Sequence, residues 1–174
     1  MADAFEHIAT TTLTSDTASV TFSSLGSYEH LQIRASARSA LNTTPGYDGI
    51  DCRLNSDSGS NYNQQGLYGY NSADTQTEHA GITDFRFWAV SSDPSNSNLF
   101  GGFVLEIMDY ANSNKFTTGR AYGCRGPDAS YGFVHFGGAN WESTAAVTSI
   151  LLAPMSASDW VSGSEFSLYG MRSS

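Results

Sequence analysis

Glu29-His30-Leu31-Gln32-Ile33-Arg34-Ala35-Ser36-Ala37-Arg38 is the stretch whose reading decides the fold. Leu31, Ile33, Ala35 and Ala37 alternate with His30, Gln32, Arg34, Ser36 and Arg38. A period of two puts apolar groups on one face and polar groups on the other, which makes a half-buried strand. The same rhythm returns along the chain. Ile50, Cys52 and Leu54 alternate with Asp51, Arg53 and Asn55, and Phe85, Phe87 and Ala89 with Arg86, Trp88 and Val90. Near the C-terminus Phe166 and Leu168 face one way, Ser167 and Tyr169 the other.

Residues 103–108 and 150–152 are short apolar runs, expected to be strands buried on both faces. With residues 20–22, 115–122 and 131–136 the count reaches about ten strands, at the spacing of sandwiches and barrels. The segments between them (43–46, 55–63, 91–98, 125–128 and 156–163) are rich in Gly, Pro, Ser, Asp and Asn, which suit turn geometry. Gly119, Gly123, Gly132, Gly137 and Gly138 inside strand-like text suggest bulges or close backbone contacts. No window carries a capped helical stripe. The expectation is an all-β chain: a two-sheet antiparallel sandwich, jelly-roll-like. Residues 1–174 read as one domain, with 1–12 an extended N-terminal arm or an edge strand.

The 174 residues include only 14% charged ones against the usual ~25%, and Ser, Thr, Asn and Gly supply the remaining polarity. Such a surface suits packing against neighbours. Net charge is −9 and Lys115 is the one lysine, so the cationic patch that drives nucleic-acid binding is missing. The same acidity disfavours anionic membrane surfaces. No stretch reaches the ~20 apolar residues of a membrane helix, and the N-terminus has no basic segment followed by an apolar run. The reading is a protein folded in the cytosol. Cys52 and Cys124 are too few for a disulfide scaffold, and buried free thiols are the expected state.

Catalytic patterns are sparse. Gly-x-Ser-x-Gly is absent, and Ser58 and Ser60 sit in a Gly/Asn loop. Glycoside hydrolysis needs two carboxylates about 5 to 9.5 Å apart, one with a raised pKa. Glu106, Asp109 and Glu142 are the candidates, with Glu106 read as a strand-edge or partnered carboxylate. Asn55, Asp57, Gly59 and Asn61 alternate as in a calcium loop but lack its first Asp and closing Glu, so a hydrogen-bonded turn is expected. His7, His30, His79 and His135 lack zinc-like spacing. The reading is non-enzymatic, with no cofactor and no metal.

The order of four segments carries a resemblance. They are Phe5-Glu6-His7-Ile8 leading through Val20-Thr21-Phe22-Ser23-Ser24-Leu25, then Tyr28-Glu29-His30-Leu31-Gln32-Ile33-Arg34, then Cys52-Arg53-Leu54-Asn55-Ser56-Asp57-Ser58-Gly59-Ser60-Asn61-Tyr62, and Phe166-Ser167-Leu168-Tyr169-Gly170-Met171. Over nearly its whole length the chain resembles small structural proteins of marine and freshwater phages, which serve as capsid decoration (cement) proteins or fibre-associated sandwich modules. The resemblance implies a jelly-roll-like fold and a virion location, reached after assembly in the host cytoplasm. It further implies a homotrimer and the major capsid protein as partner. A fibre-associated module recognising host glycans is the alternative.

Aromatic rings near loops are the candidate contacts, since they anchor interfaces and stack on sugars. Those singled out are Tyr62, Tyr68, Tyr70, Trp88 and Trp160, with Phe5, His7 and Ile8 of the N-terminal segment. Trp141 and Tyr131 are further rings of the same kind. Residues 61–70 stand out as uncharged and adaptable, like a paratope.

Overall fold

The computed structural model describes residues 4–43, 46–70, 73–92, 96–127 and 132–172. It contains twelve strands: β1 Phe5–Thr12, β2 Val20–Phe22, β3 His30–Ala37, β4 Tyr47–Leu54, β5 Tyr62–Tyr70, β6 Ala73–Ile82, β7 Phe85–Ser91, β8 Gly101–Met108, β9 Thr117–Arg125, β10 Phe133–Trp141, β11 Ile150–Pro154 and β12 Glu165–Met171. Eight form one sheet in the order β1-β12-β3-β8-β9-β10-β5-β6, and four form a second, β2-β11-β4-β7. Neighbouring strands pair antiparallel in every ladder, and no helix occurs among the described residues. The chain is a two-sheet, jelly-roll-like sandwich, as the alternation implies.

The core lies between the sheets. Leu31 and Ile33 of β3, Leu105 and Ile107 of β8, and Phe166 and Leu168 of β12 meet Ile50, Cys52 and Leu54 of β4, Phe85 and Phe87 of β7, and Ile150 and Leu152 of β11. Each of these strands contributes alternate residues, so period-two text becomes one continuous apolar layer. β7 is an edge strand of the small sheet and lies across β8, β9 and β10. Two of its backbone N–H groups are taken by side chains of the large sheet: Arg86 N–H donates to Gln64 Oε1 at 2.6 Å, and Trp88 N–H to His135 Nδ1 at 3.4 Å.

Several expectations change. β8 is not buried on both faces: Phe103, Leu105 and Ile107 point inward, while Gly102, Val104 and Met108 keep solvent contact. β11 behaves likewise, with Leu151 only partly covered. The apolar text of these strands hid a solvated side. Residues 1–12 do not supply a free arm within the described part, because Phe5–Thr12 is an edge strand hydrogen-bonded along β12, with a bulge at Ile8. The strands exceed the expected count because β6 (ADTQTEHAGI) offers little apolar signal. Arg125, read as part of a turn, ends β9 and is buried.

Both cysteines are free, but only Cys52 is buried; Cys124 is exposed on the outward side of β9. Burial pushes the Cys52 thiol well up, with the nearby Asp84 and Asp51 charges adding to the effect. Of the strand glycines, Gly123 is a true close approach. A Cβ there would stand 2.4 Å from Ala89 Cβ and 2.9 Å from Phe103 Cβ.

Candidate functional site

The register of the large sheet sorts β9, β10 and β5 into two faces. Inward go Phe133 and His135 of β10 with Tyr62, Gln64, Gly66, Tyr68 and Tyr70 of β5. Outward, three rungs cross the same strands: Thr118–Asn140–Asn63, Arg120–Gly138–Gln65 and Tyr122–Phe136–Leu67. A fourth rung, Cys124–Val134–Gly69, lies beyond them.

The inner face claims most of the rings singled out from the sequence. Tyr62 is fully buried, stacks on Trp141 and meets Phe85 edge-on. Its hydroxyl accepts the Leu54 N–H at 3.1 Å and reaches the Asp57 carbonyl at 3.2 Å. Burial raises its pKa strongly, against the pull of the Leu54 hydrogen bond. Trp160 is also fully buried, packs on Phe166 and donates its indole N–H to the Leu152 carbonyl at 3.1 Å. Neither ring has a surface to offer a partner. Tyr68, Tyr70 and Trp88 are half-buried and gather with Tyr47 around Phe133. All but the first of residues 61–70 therefore belong to a strand, β5, whose tyrosines face in and whose Asn63, Gln65 and Leu67 face out. Tyr131 lies outside the described residues.

At the other end of the large sheet, Phe5 is exposed and stacks on Tyr169 with ring centroids 4.9 Å apart. The Arg34 guanidinium lies over both rings, 4.9 Å and 5.2 Å from their centroids. His7 meets Tyr169 edge-on and pairs with the Thr10 hydroxyl at 2.8 Å. Ile8, at the bulge, is half-buried against the core. Phe5, His7, Tyr169 and Arg34 thus form an outward cluster, whereas Ile8 belongs to the packing.

Beyond the Glu106–Arg120 pair, the outer face over β9, β10 and β5 is apolar and uncovered. Leu67 is 61% exposed, Phe136 58%, Val134 56% and Tyr122 49%. Large apolar groups this open and this close together are unusual on a solitary domain. Sequence reasoning passed over this cluster. Its signal was Phe133-Val134-His135-Phe136, a strand with apolar groups on both parities, beside Tyr122 in a strand otherwise of Thr, Gly, Ala, Cys and Arg.

Gly138 sits at the centre of the three rungs and has no side chain to fill its place. The result is a hollow of about 790 Å³, with Phe136 and Leu67 on one side and Asn63, Gln65, Asn140 and Thr118 on the other. A Cβ at Gly138 would touch nothing closer than the Gly119 carbonyl at 3.7 Å. A second hollow of about 600 Å³ lies across the Leu67–Phe136 ridge, above Gly69.

The charged groups are largely spoken for. Glu106 is nearly buried, accepts the Gln32 amide N–H at 2.8 Å and binds Arg120. Burial alone would push Glu106 up, but the Arg120 and Gln32 hydrogen bonds outweigh it and hold the carboxyl below its usual range. That is the opposite of a general acid. Lys115 binds Asp109, whose carboxyl is lowered by it. Glu29, His30 and Asp109 lie close enough to suggest a cation site. However, His30 Nδ1 accepts the Asp109 N–H at 2.9 Å and Lys115 occupies the Asp109 carboxylate, so their lone pairs do not converge on an ion. In the 55–61 turn, Asp57 accepts from the Gly59 N–H, the Asn61 amide and the Trp141 indole at 2.7 to 2.9 Å. These donors, Asn61 first, lower its pKa, and they use the oxygens a cation would need.

Asp51, on the outward side of the small sheet, is raised to about 6, first by burial and next by the neighbouring Asp84 charge. Asp84 is itself fully buried and held by Arg86 at 2.5 Å and Arg53 at 3.4 Å. A raised carboxyl can mark catalysis or a structural ion network. Here the second carboxylate has no access to a substrate, which leaves the network. His135 on the inner face is lowered to about 4 by burial.

The chain matches no known family model, and no curated protein is significantly similar to it. The geometry alone bears on what the site does. It offers a broad, weakly ionic sheet face with exposed rings at both ends, suited to contact over an area.

Proposed function

We propose that this chain is a non-enzymatic structural protein of a bacteriophage particle, a capsid decoration or cement protein that binds the shell and stabilises it. The observation that carries the reading is the uncovered outer face of the large sheet, running from Phe5–Tyr169–Arg34 to Tyr122, Val134, Phe136 and Leu67. Aromatic and arginine anchors are what interface hot spots are made of. Paired charges at Glu106–Arg120 lower the cost of covering the centre of the face. A homotrimer bridging copies of the major capsid protein stabilises their joined state by binding it preferentially. Each contact would bury about 800 Å² per partner. The resemblance of the four ordered segments supports the virion location; the low charge supports protein partners over nucleic acid or membrane.

Copy number is the test. Quantitative mass spectrometry of purified particles is expected to give copies in proportion to the capsid shell, and Tyr122→Ser with Phe5→Ser is expected to strip the protein from particles while leaving its circular dichroism unchanged. Absence from particles, or full occupancy of the double variant, overturns the reading. A second reading, a tail- or head-fibre module recognising host surface glycans, is favoured by the amide-lined hollow at Gly138, and a few copies per particle would support it.

A further inference from the structure

We propose that the hollow at Gly138 is a binding site for an uncharged polysaccharide. The inference rests on the glycan-binding reading and on the composition of this one hollow, because a capsid partner seated on the outer face would cover its Phe136 and Leu67 wall.

Three features converge there. The floor is open because Gly138 separates Arg120 and Gln65 across the rung without a side chain of its own. One wall is the exposed face of Phe136 with Leu67 beside it. A sugar ring presents a C–H face to such a wall, and flat rings take up amphipathic ligands at small entropic cost. The opposite wall is Asn63, Gln65, Asn140 and Thr118. Among the described residues, Gln65, Asn140 and Thr118 make no side-chain hydrogen bond, and Asn63 spends only its oxygen, on the Gly81 N–H. Gln65 and Asn140 each offer a donor and an acceptor together, which is the pairing that neighbouring hydroxyls of a sugar require, and Asn63 adds its N–H donors. The hollow is an open trough across a sheet and suits a chain that passes through.

Charge selects the class. The arginine paired with Gly138 across the ladder, Arg120, does not line the hollow and is already bound to Glu106, and the exposed Glu78 stands on the β6 side. An anionic polymer meets no available arginine and one carboxylate. A neutral hexose polymer meets neither attraction nor repulsion and is read by hydroxyl geometry.

The test uses the purified full chain on immobilised dextran, mannan and galactan, with alginate as the anionic comparison. Saturable binding to a neutral polymer supports the proposal if Phe136→Ala weakens it by roughly tenfold or more. Gly138→Val should weaken it as much, because the new side chain fills the floor without meeting the fold. Phe5→Ser, at the far end of the sheet, should bind like wild type. The proposal is overturned by no binding to any of the three neutral polymers, by binding that Gly138→Val leaves intact, or by a preference for alginate. It is also overturned if Gly138→Val dislodges the protein from particles without altering glycan binding, since the hollow then serves a protein contact. Loss of particle attachment in the Tyr122/Phe5 double variant with glycan binding retained separates the two readings.

Discussion

β10 and β5, nine residues each, present two faces made from the same text, and the two faces meet opposite fates. Inward, Phe133, His135, Tyr62, Tyr68 and Tyr70 are packed into rings and hydrogen bonds that close on themselves. Outward, Val134, Phe136, Leu67 and Gln65 have almost nothing above them. Hydropathy does not separate the faces, since Val134 and Phe136 are as apolar as Phe133. Position relative to the small sheet does. β7 lies over the inner side, and nothing among the described residues lies over the outer side. An apolar group is therefore not evidence of a core by itself; the layer that covers it has to be found.

The comparison breaks most sharply at Tyr62. Tyr62→Ala removes a fully buried ring and orphans the Leu54 N–H, and is expected to cost about 3–5 kcal/mol in urea unfolding. A loss below about 1 kcal/mol would mean that the inner face is not the core.

Acid comes next. His135 is neutral in the fold because burial lowers its pKa from 6.5 to about 4. Between those values the unfolded chain takes up a proton that the folded chain refuses. Stability from this residue is therefore fully present above the unfolded value and is lost as pH falls through the window, by up to ~3 kcal/mol. Asp51 runs the other way: raised from 3.8 to about 6, it makes the folded chain bind a proton the unfolded chain does not, which favours the fold as pH falls between those values. His135→Gln should remove the acid-side loss and leave the Asp51 trend. Stability curves of wild type and variant that stay parallel from pH 7 to 4.5 would sink the assignment.

Adjacent glycines sharpen the contrast further. A Cβ on Gly137 would lie 2.7 Å from His135 Nε2 and 3.1 Å from the Gln65 carbonyl, so Gly137→Ala is expected to cost about 1–3 kcal/mol. Gly138→Ala, one residue on and facing out, should fall within about 0.5 kcal/mol of wild type. Smallest of all is Phe136→Ser, whose unfolding midpoint should hardly move because Phe136 is more than half exposed in the isolated chain. If Phe136→Ser proved as damaging as Tyr62→Ala, the two faces would not differ.

Much of this was legible in the text of the chain, and the gaps have physical causes. Alternation in 29–38, 50–55 and 85–90 located β3, β4 and β7 because each has one wet side. β6 escaped notice because an edge strand exposed on both sides needs no apolar residues. β5 reads as an adaptable, paratope-like stretch and not as a strand for a related reason: its glycines and amides lack strand propensity, and its pairing with β10 and β6 overrides them. Trp160 and Tyr62 looked like contact rings because loop neighbours suggest exposure, yet the chain folds both loops over its core. The outer patch was spelled out in Val134 and Phe136, but period-two reading assigns one apolar face per strand and had no place for a second.

The rim of β7 has a further consequence. Gln64 and His135 sit where the main chain of another strand would have to dock, so ladder growth from that border is closed by the protein's own side chains. Recognition between molecules is thereby turned away from generic peptide bonding there and onto surfaces whose particular side chains can tell one neighbour from another.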